Sequence, residues 1–285
     1  MASTPQHAAV GADHGVTDRA KRETRRAETT PAFRRVARTG IAARALVYLM
    51  LGALVLEIAI AGHSSAPADT QGALSLVDRL PAGHVLLGVL AAGLAAYATF
   101  RVVQALAGSP DPQRNAAWTR VGWMGSGLLY VAVFAEALTL IAGGGSGSPS
   151  SQPRPLVHRL LVLPAGPELL GALSVGAAVG AVALAVFGIR HDYAKVLERP
   201  SGASLRAARW SGMLGDLARG VVLALVAAYL FLAALTRSAR HAKSLAAALQ
   251  SLVGLPGGRE ALGLLATGLV LYATSSAIEA RYRRI

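Results

Sequence analysis

Three stretches of the chain share one pattern: PAGHVLLGVLAAG at 81–93, PAGPELLGALSVG at 164–176 and PGGREALGLLATG at 256–268. They align without a gap, and each continues into apolar sequence. The shared positions are a proline, a glycine two residues later and another glycine five residues further on. These residues are Pro81, Gly83 and Gly88; Pro164, Gly166 and Gly171; and Pro256, Gly258 and Gly263. Such agreement predicts an internal repeat of three units.

The composition places this repeat in a membrane. Of the 285 residues, 53% are hydrophobic and only 15% are charged, with a mean hydropathy of +0.47, which is too apolar for a soluble domain. A bilayer-spanning helix needs about 20 apolar residues. Six runs of that length predict an all-α integral membrane protein with six transmembrane helices. The runs are approximately 41–62, 83–107, 121–142, 166–189, 213–235 and 258–280.

Each unit of the repeat contains two spans, and an even number of crossings returns the chain to its starting side. The three units are therefore parallel, which predicts a pseudo-threefold axis along the membrane normal. The first spans align through Gly40, Gly122 and Gly215. We assign repeat 1 to residues 36–112, repeat 2 to 113–200 and repeat 3 to 201–285, forming one membrane domain over 36–285. Residues 1–35 are polar and basic, which predicts a disordered cytoplasmic tail.

Short amphipathic segments precede two of the repeated prolines. Residues 70–80 and 244–255 each carry an apolar stripe at helical spacing, which predicts short interfacial helices on the outer side of the membrane. The middle unit has a Gly/Ser-rich segment at the same place and only a remnant of the stripe at 156–163. We therefore expect the middle interfacial helix to be eroded.

The basic residues indicate the orientation. The net charge is +13, and most of the 28 Lys and Arg residues fall in the N-terminal segment, the second and fourth interspan loops and the C-terminus. By the positive-inside rule, both termini of a multi-pass protein of the cell (inner) membrane are predicted to be cytoplasmic. Anionic lipids on that side are the expected partners. Cations concentrated on one side, with few aromatic residues, argue against nucleic-acid binding.

Several motifs resemble a known family. They are the G-x-x-x-R of Gly40–Arg44 and of Gly215–Arg219, the DTQGAL of Asp69–Leu74, and the P-x-G-x-x-L-L-G of Pro81–Gly88. Together they resemble the bacterial membrane-protein family named domain of unknown function 1206. The resemblance implies repeated two-span units and brings no activity with it. The middle unit departs from the pattern, because Ser126 stands where the other two units have arginine.

Carboxylates inside the spans are candidates for a polar outer vestibule. Charged groups in the bilayer are unfavourable by at least about 2.5 kcal/mol, so they deserve a functional explanation. Glu57 and Glu136 differ by three positions in the repeat frame, and Tyr229 takes the corresponding position in repeat 3. A vestibule near the pseudo-axis would bind a cation or proton. The alternative is that each glutamate reaches headgroup water or an outer cation.

Two repeat-equivalent arginines define a second candidate site. Arg44 and Arg219 lie about one turn inside the cytoplasmic border, and Asp216 precedes Arg219 by three residues, at ion-pairing distance on a helix. One interpretation is a site for an anion or a lipid headgroup, because guanidinium groups bind phosphate oxygens in bidentate fashion. The other is that both arginines snorkel to headgroups and that Asp216 pairs locally with Arg219.

The sequence shows no enzyme signature. It has no cysteine, no nucleotide-binding loop, no nucleophile elbow and no histidine pair at metal-ligand spacing, so we expect neither catalysis, nor a metal, nor a cofactor other than bound lipid. The scarcity of charge within the spans favours a non-enzymatic accessory or scaffold subunit of a membrane complex, through a membrane-protein partner or self-association. The alternative is an ion or small-solute transporter or channel with its path along the pseudo-threefold axis.

Overall fold

All regular structure in the part of the chain that the structure describes is helical. A computed structural model describes residues 31–107, 117–143, 153–190 and 202–282. In chain order, the helices are α1 (Pro31–Ala61), α2 (Thr70–Asp78), α3 (Gly83–Ala107), α4 (Ala117–Ile141), α5 (Pro153–Leu161), α6 (Gly166–Arg190), α7 (Gly202–Leu235), α8 (Leu245–Leu252) and α9 (Gly258–Tyr282). A 3₁₀ turn, Ala239–His241, follows α7.

Six of these helices, α1, α3, α4, α6, α7 and α9, are long and apolar enough to cross a membrane, which confirms the predicted spans. Two of the helices begin well before the predicted spans. The helix α7 begins at Gly202 instead of residue 213, because no proline interrupts its polar first turns. The helix α1 begins at Pro31, a residue suited to a first helical turn, so residues 31–35 are helical and not disordered. The rest of the predicted tail, and the repeat boundaries at 112 and 200, lie outside the described residues.

Contacts between the repeats follow the same order three times. The second span of each repeat packs along the first span of the next: α3 on α4, α6 on α7 and α9 on α1. The short helices also reach the next repeat. The helix α2 contacts α4, α5 contacts the 3₁₀ turn after α7, and Gln250 of α8 donates a hydrogen bond to the carbonyl of Gly62 after α1. This cyclic order is compatible with the predicted pseudo-threefold arrangement.

The ring of spans is open in the middle repeat. The helix α1 packs on α3, and α7 packs on α9, but within the described residues α4 and α6 share no comparable contact. The glycines show the difference. A Cβ added to Gly93 would lie 2.7 Å from the Cβ of Ala43, and one added to Gly268 would lie 2.4 Å from the Cβ of Ala218. A Cβ added to the equivalent Gly176 has no neighbour within 4 Å, so the small-residue face of α6 receives no helix.

The middle repeat nevertheless has a complete short helix. The helix α5 has nine residues, as many as α2, so the prediction of an eroded remnant at 156–163 is wrong. Its sequence, PRPLVHRLL, begins with a proline and alternates apolar and basic residues at helical spacing, which is sufficient for a short amphipathic helix. All three repeats therefore share one order of elements: span, short helix, turn, span.

The repeated Pro and Gly residues form a tight turn at the end of each short helix. The backbone N–H groups of Gly83, Gly166 and Gly258 donate to the carbonyl three residues earlier at 2.7, 2.9 and 3.0 Å. Proline therefore occupies the second position of a turn, where its fixed φ is favourable, and not the first helical turn. A Cβ on these glycines would clash with a backbone oxygen of the preceding helix. By contrast, no close neighbour surrounds the other matched glycines, Gly88, Gly171 and Gly263.

Candidate functional site

A buried arginine on α1 connects three spans. Arg44 is only 4% exposed, and its Nη1 donates to the Tyr97 hydroxyl at 2.7 Å. Its Nη2 lies 3.1 Å from Ser276 Oγ and forms an ion pair with Glu279 Oε2 at 3.4 Å. The guanidinium also lies 5.0 Å from the ring centre of Tyr97 and 5.2 Å from that of Tyr272. A buried charge is tolerated only when it is paired, and α3 and α9 supply that pairing.

The equivalent arginine on α7 makes a related set of contacts. Arg219 Nη1 pairs with Asp216 Oδ1 at 3.0 Å, which confirms the ion pair predicted from their spacing. Its Nε donates to the Tyr48 hydroxyl at 3.2 Å, and its guanidinium lies 4.3 Å from the ring centre of Tyr272. Asp216 is buried, whereas the Arg219 side chain keeps 24% of its surface accessible.

Tyrosine pairs join neighbouring repeats at the same level. Tyr97 of α3 meets Tyr130 of α4 edge to face, with ring centres 4.6 Å apart and an interplanar angle of 73°. Tyr272 of α9 meets Tyr48 of α1 in almost the same geometry, 4.7 Å and 74°. In the third position the sequence has Gly180 and Leu223, and these residues also face each other. The contacts thus reproduce the residue equivalences of the sequence repeat.

A third arginine extends this network. Arg101, one turn after Tyr97 on α3, donates from Nε to the Tyr97 hydroxyl at 2.9 Å and lies 5.2 Å from the centre of that ring. Among the described residues, the network therefore contains three guanidinium groups and two carboxylates. We call this set the arginine–tyrosine cluster; its members are Arg44, Tyr48, Tyr97, Arg101, Tyr130, Asp216, Arg219, Tyr272, Ser276 and Glu279.

The geometry clarifies the alternatives predicted for the two arginines. Arg44 does not extend to headgroups, because its terminal nitrogens contact Tyr97, Ser276 and Glu279 within the bundle. Arg219 is the more accessible of the two and remains a candidate for binding an anion. A cationic pair lined by phenol hydroxyls and aromatic rings can bind an anion or fix the helices around it.

The outer polar residues do not meet as a group. Glu57 Oε2 accepts hydrogen bonds from the backbone N–H and the hydroxyl of Ser65, at 2.7 and 2.8 Å, in the loop after α1. Glu136 is partly buried and lies within electrostatic reach of Asp69, at the start of α2. The Tyr229 hydroxyl lies 2.8 Å from Ser251 Oγ of α8. Within the described residues, no hydrogen bond or ion pair connects these three sites.

Ser276, Glu279 and Arg101 are cluster residues that the sequence reasoning missed. The repeat pattern alone also assigns no site to the four tyrosines of the cluster. A signal was present on α9, where Tyr272, Ser276 and Glu279 follow one another at spacings of four and three. This spacing puts polar groups on one face of a membrane-spanning helix. Read together with Tyr97, it would have indicated a shared polar interior.

Six membrane-length helices, arranged as repeated pairs around a polar cluster, define a multi-pass membrane protein with an internal repeat. The repeat has a known counterpart. The family model described as Domain of Unknown Function (DUF1206) matches residues 39–108 and 214–283, which confirms the resemblance for repeats 1 and 3. Neither match includes the middle repeat. That repeat carries Ser126 and Gly180 where the matched repeats carry arginine and tyrosine.

A relative of similar length exists in Bacillus subtilis. The chain is 27% identical over 262 residues to the "Uncharacterized protein YxxB" of Bacillus subtilis (strain 168). The alignment covers 90% of this chain and 94% of that protein, so the two correspond over nearly their whole lengths. No solved structure matches the chain.

Proposed function

We propose that the protein is a non-enzymatic accessory or scaffold subunit that binds another membrane protein through its middle repeat. The observation that supports this proposal is the open interface between α4 and α6. In repeats 1 and 3 the two spans pack on each other at glycine, whereas in repeat 2 they do not. The middle repeat is thus the one part of the described ring in which two spans leave their facing surfaces unpaired.

The expected occupant of this interface is a transmembrane helix of the partner. In the other repeats, the glycines equivalent to Gly122 of α4 and Gly176 of α6 allow a neighbouring helix to pack closely. A Cβ added to Gly122 or Gly176 would have no neighbour within 4 Å. Small residues at these positions favour close helix association in lipid. An apolar groove lined by Val179, Val182 and Val186 lies further along α6, towards Arg190. The groove is therefore suited to an apolar helix.

Photo-crosslinking in cells tests the partner. A photoreactive residue at Val182, which is 64% exposed in the groove of α6, should give an adduct with one discrete membrane protein. The same residue at Val89 of α3, with 68% exposure, is the matched control and should give no such adduct. Gly176→Leu should reduce the Val182 adduct several-fold by filling the interface, without destabilising the fold.

The product of the reaction separates the alternatives. An adduct between two copies of this chain would identify self-association as the scaffold interaction. Lipid adducts alone at Val182, or equal protein adducts at Val182 and Val89, would contradict the accessory-subunit proposal. Because nothing lies within 4 Å of a Cβ at Gly176, an unfolded Gly176→Leu variant is not expected; its helical circular dichroism should equal that of the parent protein.

We further propose that both termini face the cytoplasm, with the short helices α2, α5 and α8 on the outer side of the cell membrane and anionic lipids against the inner side. The distribution of Lys and Arg supports this orientation. The chain has no cysteine, so single substitutions label cleanly. His63→Cys should react with an impermeant maleimide in intact cells, whereas Ala203→Cys should react only after permeabilisation. The reverse labelling pattern would overturn the orientation.

A transporter or channel along the pseudo-threefold axis is the second candidate. The observation in its favour is the ionisable cluster in the ring interior, since charged groups within spans often mark ion or solute paths. Glu57 and Glu136 do not contact each other in the described structure, so they do not form a second ion-binding site along such a path. Selective flux into liposomes that disappears in an Arg219→Gln variant would favour transport over the accessory role.

A further inference from the structure

We propose that the arginine–tyrosine cluster is a binding site for a phosphate-bearing anion, held chiefly by Arg219 with Arg44 behind it. The site is separate from the interface between α4 and α6 and does not depend on the proposed accessory role. Its ligand is identified by its chemistry: a compact oxyanion with at least two free oxygens. Inorganic phosphate and the headgroup of an anionic phospholipid both satisfy this description.

The charge balance of the cluster supports an anionic ligand. Among the described residues, Arg44, Arg101 and Arg219 carry three positive charges, and Asp216 and Glu279 carry two negative charges. Arg44 and Arg101 both donate to one oxygen, the hydroxyl of Tyr97, which brings two cations together at a neutral acceptor. An uncompensated charge in a low-dielectric interior is strongly unfavourable. An anion bound at the cluster would restore neutrality.

An unsatisfied donor supports the same inference. Arg44 Nε is buried and has no hydrogen-bond acceptor among the described residues, although both terminal nitrogens of the same guanidinium have acceptors. The Arg44 side chain is more than nine-tenths buried, so bulk water cannot readily serve this N–H. Buried donors without acceptors are rare in proteins. This N–H belongs to the most buried arginine of the cluster, in which the described guanidinium groups outnumber the described carboxylates.

Arg219 provides the accessible side of the site. It belongs to α7 but hydrogen bonds to Tyr48 of α1, which is not the neighbour of α7 in the ring, so its guanidinium points into the ring interior. There the side chain keeps 24% of its surface accessible, and it pairs with Asp216 through Nη1 and not through Nη2. Within the described residues, α4 and α6 share no comparable contact, so the ring is open on that side.

The side chains match phosphate in both charge and geometry. Guanidinium groups bind two phosphate oxygens through parallel N–H donors, and charge-assisted hydrogen bonds of this kind are about twice as strong as neutral ones. The hydroxyl of Tyr48 lies beside Arg219 and can donate to an oxyanion while it accepts from Arg219 Nε. In repeat 2, Ser126 and Gly180 replace the third arginine and tyrosine, so a ligand meets smaller side chains on that side.

The test measures ligand-induced stabilisation of the purified full-length protein. In detergent, the unfolding temperature is followed during titration with inorganic phosphate at constant ionic strength, with chloride as the balancing anion. In a parallel arm, the protein is placed in nanodiscs of phosphatidylcholine with or without phosphatidylglycerol. A ligand that binds only the folded state raises the unfolding temperature by several degrees at saturation.

Arg219→Gln should weaken the response by about tenfold or more in apparent affinity, since one charge-assisted contact is lost. The matched control Arg259→Gln removes an exposed arginine on the short-helix side and should respond as the parent does. Should Arg219→Gln fail to fold, the double variant Asp216→Asn with Arg219→Gln removes both charges of the ion pair and carries the same expectation.

The two arms identify the source of the anion. Stabilisation by inorganic phosphate and its loss in Arg219→Gln indicate a soluble ligand, and stabilisation by phosphatidylglycerol alone indicates a lipid headgroup. Stabilisation in neither arm would overturn the proposal. An Arg219→Gln variant with the affinity of the parent would overturn it as well. These outcomes leave the crosslinking test of the middle repeat unaffected, so the two proposals fail independently.

Discussion

Arg44→Met is expected to lower the free energy of unfolding by about 3–5 kcal/mol, the range for removing one partner of a buried ion pair. The substitution removes the donors to Tyr97 and Ser276 and leaves the Glu279 carboxylate without this cation. It also removes the cation that lies against the rings of Tyr97 and Tyr272. The measurement is thermal or denaturant unfolding in detergent, monitored by far-ultraviolet circular dichroism.

Three comparisons make this prediction specific. Arg44→Lys should recover part of the stability, because it keeps the charge but loses the planar donor geometry. Glu279→Gln added to Arg44→Met should recover part as well, since the carboxylate charge that Arg44 pairs with is then removed together with it. Arg219→Met should be milder, because that side chain is partly accessible and its partner Asp216 is local. Equal and small losses for Arg44→Met and Arg219→Met would show that the cluster does not hold the helices together.

The spans and the repeat are the part of this fold that sequence determines locally. A run of about 20 apolar residues must form a helix in lipid, because no other structure satisfies its backbone hydrogen bonds there. The Leu-Pro-X-Gly turns are also local, which is why matched residues such as Gly83 and Gly166 form the same hydrogen bond. Alignment of the repeats then predicted that Tyr48 and Tyr130 occupy corresponding places, and the two tyrosine pairs have nearly identical geometry.

The burial of Arg44 could not be predicted in the same way. Its acceptors lie on α3 and α9, the latter more than 200 residues away in sequence, and the apolar surroundings alone indicated snorkelling. The opening of the middle repeat is equally non-local. Gly122 and Gly176 are present just as in the other repeats, so the pattern alone does not distinguish the middle repeat. Whether these two faces meet depends on how α4 packs on α3 and how α6 packs on α7. The residues of the two faces do not determine that packing.

Gly215→Ala should destabilise the protein by about 1–3 kcal/mol, the usual penalty for overpacking a well-filled interface. A Cβ at this position would lie 2.6 Å from both Cα and Cβ of Tyr272, and a backbone atom cannot yield as the end of a flexible side chain can. The added methyl group would separate α7 from α9 and displace Tyr272 from Arg219, which lies 4.3 Å from the centre of its ring. Unfolding in detergent measures the loss.

Gly122→Ala is the matched control, because Gly122 is the equivalent residue of repeat 2 and a Cβ there has no neighbour within 4 Å. It should be neutral or slightly stabilising, since alanine favours a helix over glycine by up to about 1 kcal/mol. Equal losses in the two variants would mean that α4 packs as tightly as α7 does, and that the ring is closed. A loss of stability confined to Gly215→Ala supports an open middle repeat. The two substitutions are made at equivalent positions of the repeat, so the difference between them reports whether a neighbouring helix packs at that position.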